Sequence, residues 1–187
     1  GIQTTDPSSQ NKIERKQSNK KLFSAIERLI NANLIHIHCD LIFGLPGETL
    51  DDILKSFEEV CKLRPHELQL GFLKFLPGAP IKNMINDYGY KYESAPPYEL
   101  ISNNHLSALQ LNYLKKFEDV FDMFYNSKRF RFTVQQLLKT LSAVKLFNSI
   151  LEHMELNKIF NQSHALNTQY QIIHDTFSLG SDATALD

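Results

Sequence analysis

The first half of the chain alternates between helical and extended hydrophobic spacing. Apolar residues with helical spacing fall at Leu22, Phe23, Ile26, Leu29 and Ile30 and again over 50–63. Residues 35–43 alternate and then run apolar, and 68–76 are mostly apolar, which predicts two buried strands, the first covered on both faces. Connections of this length predict parallel strands joined by right-handed crossovers. Residues 1–5 have the character of a strand end, so the pattern predicts an α/β domain.

The second half changes character after residues 77–80, where two prolines and a glycine break the alternation. The pattern then predicts a short helix at 81–88, an extended segment at 90–94 and a turn at 95–97. Helical spacing returns over 103–125, 132–141, 143–157 and 162–177. The predicted domains are an α/β part over 1–80, a linker over 81–102 and a helical domain over 103–187.

The turn between the first buried strand and the next helix is rich in glycine. Gly44, Pro46 and Gly47 interrupt the strand, and Thr49 followed by Asp52 predicts a helix cap. A helix that begins directly after a strand offers free N–H groups, and α/β proteins commonly bind ligands there. An ordinary β-to-α turn fits the same spacing. A phosphate-binding P-loop does not, because 44–49 lacks Gly-Lys-Thr.

Composition narrows the possible functions. The net charge of −1 and a pI near 6.7 give no electrostatic reason to expect nucleic acid as a partner. The sequence contains no run of about eighteen apolar residues, so no membrane span is expected. Cys39 and Cys61 are too few for a disulfide scaffold and favour a reducing, cytoplasmic location.

Residues 40–49, Asp-Leu-Ile-Phe-Gly-Leu-Pro-Gly-Glu-Thr, resemble the fifth-strand motif of radical S-adenosylmethionine (SAM) enzymes. The resemblance is closest to the branch of oxygen-independent coproporphyrinogen oxidase, methylthiotransferases and cobalamin-binding members. Residues 1–5 resemble the end of the fourth strand, 11–15 the segment after it, and 73–80 the sixth strand with its exit loop. Residues 117–138 more loosely resemble the helical domain that follows the barrel in some cobalamin-dependent members.

The resemblance implies the C-terminal half of a partial (β/α)6 TIM-like barrel followed by an all-α domain. It implies an iron–sulfur enzyme that reductively cleaves SAM to a 5′-deoxyadenosyl radical and acts on a small-molecule substrate, with cobalamin as a further cofactor in some members. Such enzymes hold a [4Fe–4S] cluster with Cys-x3-Cys-x2-Cys, and Cys39 and Cys61 cannot form that site. The chain is therefore expected to be the C-terminal part of a longer protein. By itself it is not expected to catalyse a reaction, and the N-terminal part of the same protein is its expected partner.

The resemblance also implies a set of SAM contacts, which are Gln3, Arg15, Asp40, Gly44, Gly47, Glu48 and Lys74. Asp40 is the strongest candidate, because a carboxylate within an apolar strand needs a partner such as a ribose diol or Arg15. Arg15 offers a planar fork of donors for the methionyl carboxylate. Lys74 is expected to contact adenine through its main chain.

Each candidate also has an ordinary structural explanation. Gln3 can be a solvated strand end, Arg15 an exposed helix residue, and Glu48 a helix cap. Asp40 can be a protonated or locally hydrogen-bonded carboxyl. His36 and His38 share one face of a strand, but the sequence shows no third ligand, so no metal site is predicted. The aromatic residues over 113–132 fit a hydrophobic core or a cap over the substrate. The alternative function is a non-catalytic docking module with an α/β part and a helical part.

Overall fold

A computed structural model describes residues 1–160 and 164–178, and the chain forms two compact units that divide between Glu118 and Asp119. The first unit mixes helices and strands, as the sequence predicts. Its elements in chain order are α1 (Pro7–Lys12), α2 (Asn19–Ala32), β1 (His38–Phe43), α3 (Leu50–Lys62), β2 (Glu67–Phe72), a 3-10 helix (Pro80–Met84), α4 (Ile85–Tyr88), β3 (Lys91–Tyr92), β4 (Leu100–Ser102) and most of α5 (Ala108–Phe121). The predicted boundaries at 80 and 102 stay predictions.

β1 and β2 form a parallel pair, as the connection length predicts, in the register His38 to Glu67 and Phe43 to Phe72. The strand predicted at 35–43 begins only at His38, because the first residue of β2 that pairs with it is Glu67. β2 is also shorter than the predicted 68–76. Beyond β2 the chain pairs instead with a later segment, through an antiparallel bridge between Lys74 and Glu99. A barrel is not seen in the described part of the chain.

Within this chain the first strand is covered on one face only, whereas the sequence predicted cover on both faces. Burial alternates along β1 and β2, so that Cys39, Leu41 and Phe43 are buried while His38 and Asp40 are not. The buried face packs on the apolar face of α3, whose inward side chains include Phe57 and Val60. The other face carries polar residues in the same register, since Asp40 lies opposite Gln69.

Helix α3 begins with a complete capping box. The Thr49 hydroxyl accepts a hydrogen bond from the Asp52 backbone N–H at 3.3 Å, and the Asp52 carboxylate accepts one from the Thr49 backbone N–H at 3.0 Å. The Thr49 hydroxyl also donates to the Asp52 carboxylate at 2.6 Å, and this bond together with the one from the Thr49 N–H lowers the pKa of Asp52 below its usual value. Two otherwise orphaned donors at the helix start are satisfied in this way.

Replacing Thr49 by alanine is expected to destabilise the chain by about 1 kcal/mol, because the cap hydroxyl is lost while the helix sequence is unchanged. Urea unfolding followed by far-UV circular dichroism measures the effect. Thr49→Ser keeps the hydroxyl and is the matched control. Equal midpoints for the alanine and serine variants would show that the cap contributes nothing.

The second unit is helical in its described part, as predicted. A π-helical turn (Asp122–Asn126) follows α5, and then come α6 (Arg131–Leu137), α7 (Ala143–Leu156) and α8 (Leu166–Ser178). The predicted start of the last helix, Gln162, lies outside the described residues. Aromatic side chains fill the core, with the Phe121 and Phe147 rings 4.9 Å apart and the Phe124 and Phe130 rings 5.0 Å apart.

Candidate functional site

Gln3 and Asp40 lie on neighbouring extended segments. The Gln3 N–H donates to the Asp40 carbonyl at 2.8 Å, and the Ile42 N–H donates to the Gln3 carbonyl at 2.8 Å. These two bonds place residues 1–5 parallel to β1, with Gln3 bridged to Leu41. Gln3 has a φ of 67°, which turns the chain out of the extended conformation directly after the bridge. The sheet therefore brings two of the predicted site residues together.

Arg15 lies beside Gln3 because the chain reverses direction after α1. Its Nη1 donates to Gln3 Oε1 at 3.0 Å, its Nε donates to Gln17 Oε1 at 2.9 Å, and its Nη2 donates to the Gly1 carbonyl. The guanidinium is thus held by three acceptors of its own chain. Within the described residues Arg15 forms no ion pair with Asp40, so the partnership that the sequence suggested between them is not formed.

The Asp40 carboxylate lies on the polar face of the sheet. Its side chain is 35% exposed, and its Oδ1 lies 3.6 Å from the Gly1 amino group. Because the Asp40 side chain does not enter the core of the first unit, a ligand placed on this face could donate hydrogen bonds to the carboxylate. The buried, partner-demanding carboxylate that the strand pattern suggested is instead a partly accessible one.

Gly44 and Gly47 both have positive φ values, of 92° and 80°, which side chains rarely adopt. A Cβ at Gly44 would collide with the Leu100 side chain, and one at Gly47 would collide with the Lys12 ammonium group. Side chains of this chain therefore occupy the space next to both glycines.

The turn from Gly44 to Glu48 is closely braced by hydrogen bonds. The Tyr90 hydroxyl donates to the Gly44 carbonyl at 3.2 Å, and the Ser9 hydroxyl donates to the Pro46 carbonyl at 3.0 Å. Within the turn, the Glu48 N–H donates to the Leu45 carbonyl at 3.2 Å. Burial raises the pKa of the Tyr90 hydroxyl, which stays protonated as a donor. Two other segments, together with a bond inside the turn, thus fix its shape.

Glu48 has the most unusual environment of the predicted site residues. Its side chain is 1% exposed, and its Oε2 accepts a hydrogen bond from the Leu45 N–H at 3.2 Å. Burial raises the pKa of this carboxyl to about 7, against hydrogen bonds from the Thr4 hydroxyl and the Leu45 amide that lower it. The carboxyl faces protein groups and is enclosed by the turn.

Lys74 follows β2 on the chain segment that leaves the sheet. The Leu100 N–H donates to the Leu73 carbonyl at 2.9 Å, and the Phe75 N–H donates to the Tyr98 carbonyl at 2.8 Å. Within the described residues, the N–H and carbonyl of Lys74 itself form no hydrogen bond. Both groups are therefore available to a ligand, as the predicted main-chain contact requires.

Cys39 and Cys61 are both buried free thiols. Burial is the main cause that raises the pKa of Cys39 to about 11 and that of Cys61 to about 12. Thiols of this kind are poor metal ligands, because binding requires the thiolate. Across the described residues, no group of three or more His, Cys, Asp or Glu side chains could hold a metal ion.

Several residues of the turn environment were not predicted from the sequence. Thr4, Ser9 and Tyr90 all contact the turn through hydroxyl groups, and Lys12 covers Gly47 while its ammonium lies 5.6 Å from the Tyr88 ring centroid. Tyr90 and Gly44 are separated by 46 positions, so no local pattern connects them. The single local signal is Gly89, whose left-handed conformation ends α4 and directs Tyr90 inward.

The fold and site define a mixed α/β protein with polar groups on one face of a parallel strand pair, followed by a helical unit. The chain belongs to the family described as protein of unknown function (DUF4080), whose profile matches residues 86–185. Heme chaperone HemW of Lactococcus lactis subsp. lactis (strain IL1403) is 33% identical to the chain over 67 residues. The match covers 35% of this chain and 18% of that protein. Together the two matches support a loose relationship to the radical SAM superfamily. Within 1–160 and 164–178, no helix is long and apolar enough to cross a membrane.

Proposed function

We propose that this chain is the C-terminal part of a radical SAM iron–sulfur enzyme and supplies one side of its SAM site. The observation that carries the proposal is that Gln3 lies beside Asp40 of β1 and is hydrogen-bonded to Arg15, while Gly44 and Lys74 follow β1 and β2. Parallel-strand proteins bind ligands at the carboxyl ends of their strands. The first half of the barrel would come from the N-terminal part of the same protein.

The available groups fit the polar parts of SAM. The partly exposed Asp40 carboxylate can accept hydrogen bonds from a ribose diol, and the free N–H and carbonyl of Lys74 can pair with the edge of an adenine. Arg15 can donate to the methionyl carboxylate if this carboxylate replaces an acceptor that Arg15 now uses, Gln3 Oε1 or Gln17 Oε1. These residues would orient the cofactor, and the bound SAM would supply the radical chemistry.

The cysteines of this chain do not fit an iron–sulfur cluster. Cys39 and Cys61 are buried, and desolvation disfavours their thiolates. The cluster would therefore be held by residues outside this chain. Cobalamin, a small-molecule substrate and a cytoplasmic location stay predictions of the sequence.

The polar face of the β1–β2 pair supports the proposed partner. His38 and Asp40 of β1 and Gln69 of β2 all lie on this face outside the core. In a closed barrel this would be the inward face, where polar groups line a site. The N-terminal part of the protein would then cover it.

Replacing Asp40 by alanine is expected to weaken SAM binding to the full chain by about tenfold or more, because a hydrogen bond to a charged group contributes about 1.5–3 kcal/mol. Isothermal titration calorimetry with SAM and with 5′-deoxyadenosine measures this loss. Asp51→Ala, which removes an exposed carboxylate in the first turn of α3, is the matched control. It should bind as the wild type does.

Two outcomes would contradict the proposal. If the Asp40→Ala and Arg15→Ala variants both bind SAM as tightly as the wild type does, the site lies elsewhere. If the wild-type chain and the full-length protein both fail to bind SAM, the docking-module alternative is favoured.

A further inference from the structure

The Glu48 carboxyl connects two segments that both end at the proposed SAM site. On one side it accepts a hydrogen bond from the hydroxyl of Thr4, the residue after Gln3. On the other side it accepts from the N–H of Leu45, the residue after Gly44. The Thr4 hydroxyl also accepts a hydrogen bond from the Asp6 N–H at 3.0 Å, which extends the connection toward α1. The carboxyl and both of its donors are enclosed, because Glu48, Thr4 and Leu45 are buried.

We propose that Glu48 is a positioning residue whose buried carboxyl fixes residues 3–4 and the Gly44 turn relative to each other, and that this brace loosens when the carboxyl ionises. The proposal rests on the proposed function only where it concerns SAM. The resemblance to radical SAM enzymes suggested a direct SAM contact for Glu48. An enclosed carboxyl that touches Thr4 and Leu45 can instead act on the ligand through those neighbours.

Charged and titratable groups from each neighbouring segment face this carboxyl. Asp6 and Asp52 both disfavour its ionised form, and the Tyr90 hydroxyl lies close enough for the ionised form to raise the pKa of that tyrosine. Lys12 is the cation at the turn, but its ammonium covers Gly47 and faces the Tyr88 ring. The negative neighbours and the enclosure both raise the pKa of Glu48. The closed turn therefore favours the neutral carboxyl.

Ionisation at neutral pH should therefore favour opening of the turn. A group that titrates at 4.5 when hydrated and at about 7 when enclosed makes the opening equilibrium constant depend on pH. Between about pH 6 and about pH 8 the linkage relation raises that constant by about tenfold. The neutral glutamine side chain has the same shape and does not titrate, so Glu48→Gln removes this dependence.

Hydrogen exchange of the full chain tests the brace without any ligand. We expect the Leu45 and Glu48 amides, corrected for the intrinsic exchange rate, to open about tenfold more at about pH 8 than at about pH 6 in the wild type. Glu48→Gln should show no such change. Thr4→Val removes one donor and should raise opening at both pH values. The same pH dependence in wild type and Glu48→Gln, or unchanged opening in Thr4→Val, would overturn the proposal.

SAM binding tests the positioning role. At about pH 6, Glu48→Ala should weaken SAM binding by about tenfold, as the loss of an orienting neighbour commonly does, and Glu48→Gln should restore it. Equal weakening by alanine and glutamine would show that the carboxyl contacts the ligand directly and would overturn the assignment. If the wild type binds no SAM, the proposed function fails, whereas the exchange measurement still decides whether Glu48 braces the turn.

Discussion

Replacing Phe147 by alanine is expected to destabilise the helical unit by about 3–5 kcal/mol. Phe147 lies at the centre of α7 and is 0% exposed, with its ring edge against Phe121 at 4.9 Å and against Tyr125 at 6.5 Å. Alanine would leave a cavity that the surrounding rings can fill only in part. The higher helix propensity of alanine offsets about 0.5 kcal/mol of this loss.

Phe132 offers a control with the same chemical change in the same unit. Its side chain is 81% exposed, so Phe132→Ala should alter stability by about 0.5 kcal/mol or less. Urea unfolding followed by circular dichroism measures both variants, and hydrogen-exchange mass spectrometry assigns the transition to residues after 118. Similar unfolding midpoints for Phe147→Ala and Phe132→Ala would show that the α7 core is not packed as described.

Glu48 is expected to make the chain less stable as the pH rises through neutrality. Its pKa is raised from 4.5 to about 7 on folding, so the folded chain binds more protons than the unfolded chain across this interval. The stability that Glu48 contributes is therefore fully present below about pH 4.5 and is lost as the pH rises through about 7. The 2.5-unit difference between those two values corresponds to about 3 kcal/mol.

The free energy of unfolding of Glu48→Gln, minus that of the wild type, isolates this contribution. Between about pH 5 and about pH 8 the difference should rise by about 2–3 kcal/mol, because the glutamine does not ionise. Glu27→Gln, an exposed glutamate of α2, controls for the loss of a negative charge. A difference that stays constant across this range would mean that Glu48 is not enclosed in solution.

Local patterns in the sequence determine most of the helices of this protein. The apolar spacing around Ile26 predicts α2, and Thr49 with Asp52 predicts where α3 begins, because these signals act within one or two helical turns. The parallel pairing of β1 and β2 also follows, since the connection through α3 is too long for a hairpin. The resemblance to radical SAM enzymes named Gln3, Arg15 and Asp40 together, and Gln3 contacts each of the other two, but their role as SAM contacts stays a prediction.

Contacts between distant residues were decided only by the tertiary structure. A hydrophobic run does not tell whether a strand is covered on one face or two, so the polar face with Asp40 and Gln69 emerged only from the register. The predicted extended segment at 90–94 contains β3, and the turn at 95–97 follows it, but β4 and its pairing with β3 were missed because the two strands are only two and three residues long.

The Gly44 turn shows the same division most clearly. The sequence predicts a tight turn there, because glycine and proline act on their own backbone and that of the adjacent residues. It does not predict that Leu100 and Lys12 fill the space over the glycines, or that Thr4 and Tyr90 brace the turn. Those partners lie up to 56 positions away, from Gly44 to Leu100, and only the path of the folded chain brings them together. The burial of Glu48, and with it the shift of its pKa, is likewise a property of the assembled fold.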